Sequence, residues 1–307
     1  MTTPKVLVTG GSGLLGRFVV DALRVDHTVE VLDVKPPAQD VAYHQADMRD
    51  LDAVRHAIAG HDRIVHLAGI DDGVDVSDHT YVSVNVQGTW NLLHAAEEQG
   101  GVNKIVIASS TAATGLDASA PPQYLPIDEA HPQTPKRTYD LTKQLIERTA
   151  ESFARRGGIA PIICLRPTLI VRPEKAPEIL AELATLSPGE GHPGVTIDAP
   201  IYGGLPMLRT YVTSRDAAAA FRAALLANTK PYATFLIAAR DTLGRVNALR
   251  WVNRQFGTRP DIRDAGWFAV PTTSPLDSRA AERDLGWVAA DDWPSVIQSA
   301  VEHEARQ

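Results

Sequence analysis

Residues 5–16, Lys5-Val-Leu-Val-Thr-Gly-Gly-Ser-Gly-Leu-Leu-Gly16, join an apolar run of β-strand character to a glycine-rich turn and a run of helical character. Gly10 lets the chain turn off the strand, Gly13 lets backbone approach a pyrophosphate, and Gly16 lets the helix pack closely on the sheet. Unpaired N–H groups and the positive dipole end of that helix are suited to phosphates. The stretch therefore predicts a dinucleotide site, with Gly10, Gly13, Leu14, Leu15 and Gly16 as its cofactor-binding residues.

A second strand-like run, 28–32, ends in Asp33. An acidic residue about 20 positions after such a turn places its carboxylate on the ribose hydroxyls of a dinucleotide. A carboxylate there repels a 2′-phosphate, so the sequence favours NAD over NADP, although the positive charge of Lys35 opposes this preference. The alternative is that Asp33 is a turn residue at the end of the strand.

Composition excludes several classes of protein. The chain has 307 residues, 44% of them hydrophobic, which is enough to bury the core of one large or two coupled domains. Its formal charge of −7 argues against an extended nucleic-acid-binding surface. The single cysteine, Cys164, excludes an intramolecular disulfide framework, and its apolar neighbours predict a buried side chain. No His, Cys or carboxylate cluster has metal-ligand spacing, so we expect no metal site.

The chain enters its first core strand at Lys5, and no apolar run approaches the ~20 residues needed to cross a bilayer. We therefore expect a cytoplasmic protein without a secretion signal and without a membrane segment.

Strand-like apolar runs alternate with helix-length segments through the first half, which is typical of an α/β fold with a doubly wound parallel sheet. The predicted strands are 5–9, 28–33, 42–46, 63–67, 104–109, 160–166 and 233–238. The predicted helices are 14–24, 50–59, 79–99, 137–156, 177–186, 214–228, 243–256 and 293–305.

Two long irregular segments, 121–135 and 172–208, break this alternation. Such segments usually carry function, and beyond the carboxyl ends of parallel strands they are placed to cover a substrate. We expect a dinucleotide-binding domain over residues 1–171, to which the chain returns near 210–238. Residues 172–209 and 239–307 are expected to form a small C-terminal substrate-binding lobe.

Tyr139 and Lys143 are four residues apart on a predicted helix and therefore share one face. A fixed positive charge beside a phenol favours the phenolate, so we expect the pKa of Tyr139 to be lowered and the phenol to act as a base near neutral pH. An isolated Tyr–Lys pair at this spacing is more often a surface pair. Here Ser109, Ser110 and Thr111 follow the fifth strand, where a hydroxyl can hold a substrate oxygen beside the tyrosine.

These motifs resemble the extended short-chain dehydrogenase/reductase superfamily, in particular its NAD-dependent epimerase/dehydratase group, which has a Rossmann fold. The matching motifs are Thr9–Gly16, His66-Leu-Ala-Gly69, Ser109-Ser110, Tyr139-x-x-x-Lys143 and Arg166-Pro167. Further matches are Asp47-Met48, the segment Asn85–Asn91, the segment Arg209–Asp216 and Leu285-Gly-Trp287. The resemblance covers nearly the whole chain and is specific for the superfamily rather than for one member.

The resemblance implies a catalytic set. Tyr139 would transfer the proton, Lys143 would lower the pKa of Tyr139 and bind the nicotinamide ribose, and Ser110 would hold the reacting oxygen. The implied cofactor is NAD, lined by Leu67, Ala68, Gly69, Asn85, Tyr139 and Lys143, with Asp47 and Met48 at the adenine.

A sugar-like small molecule is the implied substrate, with Thr111 and Arg209 as its binding residues. Arg209 stands where related enzymes bind a diphosphate, and it could equally bind a carboxylate or form a structural ion pair. Asp71 and Asp72 could meet a polyhydroxylated ligand, although a solvated loop is the favoured interpretation. The superfamily also suggests a homodimer through the fourth and fifth helices, with contributions from Trp90, Leu93 and Phe153.

Departures from the family pattern narrow the choice of reaction. Thr111 and Ala112 replace the Asp-Glu pair of the dehydratase branch, so a sugar 4,6-dehydratase is disfavoured. We predict an NAD-dependent oxidoreductase that acts on a secondary hydroxyl or hemiacetal of a sugar, sugar acid or polyol. An epimerase that retains its NAD is the alternative, followed by a non-catalytic NAD-binding protein.

Overall fold

The structure is a computed structural model that describes residues 3–116, 121–179 and 208–304. Over these residues the strands are β1 (Lys5–Thr9), β2 (Thr28–Asp33), β3 (Ala42–Gln45), β4 (Arg63–His66), β5 (Lys104–Ala108), β6 (Tyr124–Leu125), β7 (Ile162–Pro167), β8 (Leu169–Val171), β9 (Tyr211–Thr213), β10 (Tyr232–Ile237) and β11 (Asp261–Ile262). The helices are α1 (Gly16–Leu23), α2 (Leu51–Ile58), α3 (Asp78–Tyr81), α4 (Gly88–Gln99), α5 (Thr138–Arg156), α6 (Ser214–Leu226), α7 (Ala248–Phe256), α8 (Arg279–Leu285) and α9 (Trp293–Glu304).

A parallel sheet of seven strands in the order β10-β7-β5-β4-β1-β2-β3 forms the centre of the molecule. The predicted α/β fold with a doubly wound parallel sheet is therefore confirmed. The strand order reverses at β1, since β2 lies on one side of it and β4 on the other. In open α/β sheets, ligands bind beyond the carboxyl ends of the strands at this point.

The sequence predicted all seven strands of the sheet to within about two residues, and it missed other elements. The short pairs β6–β11 and β8–β9 and the helix α8 were not predicted. The predicted helix 243–256 is a 3₁₀ turn followed by α7, because Gly244 has a positive φ of 75°. The predicted helix 79–99 contains a π-helical segment, Val82–Gln87. Most of the predicted helix 177–186 lies outside the described residues.

Apolar faces of the helices bury both faces of the sheet. On one face, α1 and α6 pack with residues such as Val20, Leu23 and Phe221 against the valines of β1 and β2. On the other face, α2, α4 and α5 pack with residues such as Ile58, Leu92 and Phe153. Cys164 is fully buried in this second layer, as its apolar neighbours predicted.

A buried ion pair ties α5 to the sheet. Arg166 on β7 donates from Nε to Oε1 and from its terminal nitrogen to Oε2 of Glu147, each at 2.8 Å. The two side chains are 5% and 3% exposed. Ser109 and Gln133 each donate a further bond of 2.6 Å to the same carboxylate. This shell of donors satisfies the buried charges and sets the position of α5.

The late motifs of the sequence connect the C-terminal segment to helix α6. The carboxylate of Asp216 accepts hydrogen bonds from the backbone N–H groups of Ala290 and Asp291 at 3.0 and 2.9 Å. The indole of Trp287 donates to the Asp216 carbonyl at 3.0 Å. The segments around Asp216 and Trp287 therefore contact each other directly, although 71 residues separate them.

Gly115 follows the 3₁₀ turn Thr111–Thr114 and has a φ of +71°. A Cβ there would lie 2.4 Å from the backbone atoms of Thr134 and Pro135. Gly157, which ends α5, has a similar φ of +75°, but a Cβ there would meet no atom within 4 Å. The two glycines share one backbone conformation and differ in the space around them.

We predict that Gly115→Ala destabilises the fold more than Gly157→Ala. Left-handed backbone costs alanine about 1–2 kcal/mol at either site, and crowding at Gly115 adds about 1–3 kcal/mol. Denaturant unfolding of both variants measures the difference. Equal losses of unfolding free energy would mean that the segment around Pro135 moves aside without cost.

Candidate active site

Five strand ends meet at the carboxyl edge of the sheet. The residues at these ends are the glycine turn after β1, Asp33 as the last residue of β2, Leu67 to Gly69 after β4, Ser109 and Ser110 after β5, and Thr168 after β7. Because the strands are parallel, these segments line one crevice. Residues that are far apart in the sequence therefore meet at one site.

Two glycines of the turn stand where a side chain would clash with nearby backbone. Gly10 has a φ of +72°, and a Cβ there would lie 2.5 Å from the backbone nitrogen of Ala68. A Cβ on Gly16 would lie 2.3 Å from the carbonyl oxygen of Gly10, so only glycine lets α1 begin this close to the turn. Leu15 caps the start of α1 without a side-chain hydrogen bond. The Leu15 side chain therefore does not compete with an anion for the positive end of α1.

Asp33 faces the glycine turn from the neighbouring strand. Its carboxylate accepts hydrogen bonds from the N–H groups of Ser12 and Lys35 at 3.1 and 3.2 Å. A carboxylate offers about four lone-pair sites, so two bonds leave capacity for a diol. Asp33 is therefore oriented by the turn, and the residues here fit the adenosine half of a dinucleotide.

His66 is a buried structural residue. Its Nδ1 lies 2.6 Å from the Thr9 hydroxyl and its Nε2 lies 3.0 Å from the Thr89 hydroxyl. Burial lowers the pKa of His66 to about 3, with a smaller contribution from the charge of Lys143. A neutral imidazole therefore links β1, β4 and α4 below the crevice.

The segment Leu67, Ala68 and Gly69 is held from behind by Asn85. The Asn85 side chain accepts from the Ile70 N–H at 2.7 Å, and its Nδ2 donates to the Ile70 carbonyl at 3.1 Å and the Thr142 hydroxyl at 3.3 Å. A Cβ on Gly69 would lie 3.1 Å from the Asn85 amide oxygen. Asn85 therefore orients the segment that would line a cofactor, and glycine at position 69 leaves room for the Asn85 amide.

The two residues predicted at the adenine have different environments. Asp47 lies at the open edge after β3, and hydrogen bonds from Arg49 lower the pKa of the Asp47 carboxyl. Met48 is 4% exposed, and its Cβ lies 2.9 Å from the position that a Cβ on Gly88 would occupy. The Met48 side chain therefore packs in the core against α4.

Ser110, Tyr139 and Lys143 come together beside the crevice. Ser110 follows β5 and Tyr139 lies on α5, and the Ser110 hydroxyl is close enough to lower the pKa of the Tyr139 phenol. The Lys143 ammonium lies 5.6 Å from the centre of the Tyr139 ring and donates to the Ala108 carbonyl at 3.1 Å. The structure thus brings together the three residues that the sequence assigned to catalysis.

The predicted net lowering of the Tyr139 pKa does not occur in this structure. Burial raises the pKa of Tyr139 well above its ordinary value, and the charge of Asp71 raises it further. The nearby Ser110 hydroxyl lowers it by less. Burial also lowers the pKa of Lys143, against the charges of Asp71 and Glu147. Spacing along a helix could show that Tyr139 and Lys143 share a face, but it could not show how deeply they are buried.

Asp71 is the site residue that sequence reasoning undervalued. Its Oδ1 accepts a hydrogen bond from the Tyr139 phenol at 3.3 Å. The loop is solvated at Asp71, which is exposed, whereas Asp72 is ion-paired with Arg137 at 3.0 Å. The pair of adjacent carboxylates directly after the His66–Gly69 motif was the available signal.

The two predicted substrate-binding residues are both buried. Thr111 is fully buried and its hydroxyl donates to the Pro167 carbonyl at 3.5 Å, which supports a structural role. Arg209 is 3% exposed, and its guanidinium lies 4.1 Å from the centre of the Trp251 ring. Arg209 adjoins residues 180–207, which lie outside the described residues.

The three apolar residues predicted to contribute to a dimer differ in exposure. Leu93 and Phe153 are at most 1% exposed and belong to the core of the chain, whereas Trp90 is 40% exposed.

Over the ranges 3–116, 121–179 and 208–304, no helix is long and apolar enough to cross a membrane. In the same part of the chain, no group of three His, Cys, Asp or Glu side chains is placed to hold a metal ion.

Known proteins resemble the chain in both sequence and fold. The N-acetyl-alpha-D-glucosaminyl-diphospho-ditrans,octacis-undecaprenol 4-epimerase of Escherichia coli O157:H7 is 35% identical over 172 residues, which cover 54% of this chain and 49% of the epimerase. The uronate dehydrogenase of Pseudomonas syringae pv. tomato is 29% identical over 163 residues, which cover 52% of this chain and 57% of the dehydrogenase. The chain thus spans about half the length of these curated relatives.

A solved short-chain dehydrogenase/reductase superfamily protein from Agrobacterium tumefaciens, which has NAD bound, shares the fold. It is 23% identical with a TM-score of 0.73, and the alignment covers 98% of this chain and 97% of that protein. The family profile itself matches residues 6–238, from β1 to the end of β10. The chain therefore belongs to the NAD dependent epimerase/dehydratase family.

Proposed function

We propose that the protein is an NAD-dependent oxidoreductase that transfers a hydride from a secondary hydroxyl or hemiacetal of a sugar, sugar acid or polyol. The observation that carries this proposal is the cluster of Ser110, Tyr139 and Lys143 at the carboxyl edge of the sheet, the edge that also carries the glycine turn. A protein that only bound NAD would not need a serine hydroxyl beside a buried phenol.

The residues that would hold NAD surround the crevice. The start of α1 offers its N–H groups to the pyrophosphate, and Asp33 offers its remaining lone pairs to the adenosine ribose. Lys143 lies beside Tyr139, where it can hydrogen-bond the nicotinamide ribose. When bound, NAD supplies the hydride acceptor, and the protein aims the substrate carbon at it.

The proton is handled by the chain itself. Ser110 holds the substrate oxygen, and Tyr139 accepts the proton of the same hydroxyl as the carbon loses its hydride. The products are a carbonyl, the reduced cofactor and one proton. Because burial and Asp71 raise the pKa of Tyr139, Lys143 and Ser110 must offset part of that cost.

An NAD-retaining sugar epimerase is the second candidate. The Escherichia coli relative carries the name of a 4-epimerase and the Pseudomonas relative that of a dehydrogenase, so both reactions occur among similar chains. The same three residues would serve both reactions, since an epimerase returns the hydride to the opposite face. In either case we propose that residues 172–209 and 239–307 form the substrate side of the crevice.

We predict that Asp33→Asn shifts cofactor preference toward NADP. The asparagine keeps an oxygen acceptor for the Ser12 N–H but removes the charge that repels a 2′-phosphate. The ratio of the dissociation constants of NADP and NAD should fall about 10-fold. Calorimetry with both cofactors measures it, with the exposed Asp40→Asn as control. If the unaltered chain binds NADP as tightly as NAD, Lys35 rather than Asp33 governs the ribose pocket.

We predict that Tyr139→Phe lowers turnover by about 10²–10⁴-fold, because general acid–base catalysis has that magnitude. The affinity for NAD should be nearly unchanged, whereas Lys143→Ala should weaken both turnover and NAD binding. Tyr232→Phe is the matched control, since Tyr232 begins β10 at the opposite edge of the sheet. Turnover by Tyr139→Phe above about a hundredth of the original rate would refute the assignment.

We predict that the purified protein carries little NAD and accumulates NADH in proportion to the substrate consumed. A dehydrogenase must release its reduced cofactor in each cycle, whereas an epimerase must keep it. Near-ultraviolet absorbance of the protein, alone and with a neutral or acidic sugar, distinguishes the two. Retained NAD, inverted substrate stereochemistry and no net NADH would establish the epimerase instead.

A further inference from the structure

The carboxylate of Asp71 lies at the reacting end of Tyr139. Its Oδ1 is 3.3 Å from the phenol oxygen, and the same Oδ1 accepts the backbone N–H of Asp72 at 2.9 Å. The Asp71 residue is exposed, whereas Tyr139 is only 7% exposed. Asp71 thus stands between solvent and the phenol that the proposed function makes the proton acceptor.

The segment that carries Asp71 is held at several points. Asp72 accepts two hydrogen bonds of 3.0 Å from Arg137, and Arg137 also bonds Asp140 in the first turn of α5. The Tyr81 hydroxyl lies 3.0 Å from the Asp71 carbonyl and 2.9 Å from the Val74 carbonyl. These contacts come from α3 and from the residue that precedes α5, so the position of Asp71 is built into the fold.

A substrate hydroxyl that reaches Tyr139 must therefore bind beside a fixed negative charge. A neutral sugar or polyol can donate a neighbouring hydroxyl to the carboxylate in place of the phenol. A substrate with its own carboxylate near the reacting carbon would be repelled, since like charges about 6 Å apart disfavour binding by several-fold even at high effective dielectric.

We propose that Asp71 is a specificity-determining residue, which accepts a hydrogen bond from a second hydroxyl of a neutral, polyhydroxylated substrate and rejects substrates that carry a carboxylate beside the reacting carbon. This inference rests on the proposed function and narrows its substrate class. It also separates the chain from its relative named a uronate dehydrogenase.

The charged and titratable groups that face Tyr139 give this proposal a second readout. They are Asp71, Asp72, Lys143, Tyr81 and, through Asp72, Arg137. The charge of Asp71 raises the pKa of Tyr139. Removing that charge should lower this pKa, so the base form of Tyr139 should persist to lower pH. The acidic limb of the pH profile for oxidation should then move to lower pH.

The test compares Asp71→Asn with Asp75→Asn in the full chain. Asp75 is an exposed residue four positions further along and serves as the matched control. The substrates are D-galactose with D-galacturonate, and UDP-glucose with UDP-glucuronate, so that each pair differs in one carboxylate. The measured quantity is the ratio of kcat/KM for the neutral and the acidic member, together with the pH profile.

Asp71→Asn should reduce this ratio about 10-fold by improving the acidic member, and it should move the acidic limb to lower pH. Asp75→Asn should change neither. An unaltered chain that prefers the acidic member, or an Asp71→Asn variant with the original ratio and pH profile, would overturn the proposal.

Binding separates this proposal from the proposed function. If the unaltered chain turns over no member of either pair, calorimetric dissociation constants in the presence of NAD replace kcat/KM. If the unaltered chain then binds the neutral members more tightly and Asp71→Asn removes this preference, the specificity role of Asp71 is supported and the proposed oxidoreductase activity is contradicted. Absence of binding by both neutral members would overturn the role of Asp71.

Discussion

The buried ion pair between Glu147 and Arg166 is the interaction on which the geometry of the site depends. Both charges lie out of water, where an unpaired carboxylate or guanidinium is very costly. The ion pair therefore holds helix α5 against strand β7. Ser109 and Gln133 donate to the same carboxylate, which places the end of β5 and the segment before α5 in the same network. Lys143 precedes Glu147 by one turn, and Ser110 follows Ser109. The pair thus sets the distance between the phenol, the ammonium and the serine hydroxyl.

Tyr139 lies between two opposed charges. Lys143 below it favours the phenolate, whereas Asp71 above it and the surrounding burial favour the phenol. A proton acceptor works best when its pKa is near the operating pH, so the balance between these groups determines how well the site can act as a base. The Asp71 carboxylate is exposed at the mouth of the crevice. A substrate hydroxyl that donates to this carboxylate in place of the phenol would therefore change the effect of Asp71 on the pKa of Tyr139.

The family to which the chain belongs explains why the reaction is harder to assign than the fold. Oxidation and epimerisation use the same proton acceptor, the same serine and the same nicotinamide chemistry. They differ in whether the reduced cofactor leaves the site and in whether the substrate presents its opposite face to the hydride. These differences depend on the substrate side of the crevice. Under the proposed function that side is formed by residues 172–209 and 239–307, and Arg209 among them is buried against Trp251.

The sequence by itself determined the parallel α/β sheet, the glycine turn with Asp33, and the set of Ser110, Tyr139 and Lys143, because each of these depends on local periodicity, on the backbone freedom of glycine or on spacing along one helix. Only the tertiary structure decided the environment of those residues. It placed Thr111, Leu93 and Phe153 in the interior, gave Asn85 the role of holding the Gly69–Ile70 backbone, and brought Asp71 to Tyr139 across 68 residues of sequence. Burial and long-range charge contacts arise when distant segments pack together, so the raised pKa of Tyr139 could not be inferred from the helix that carries it.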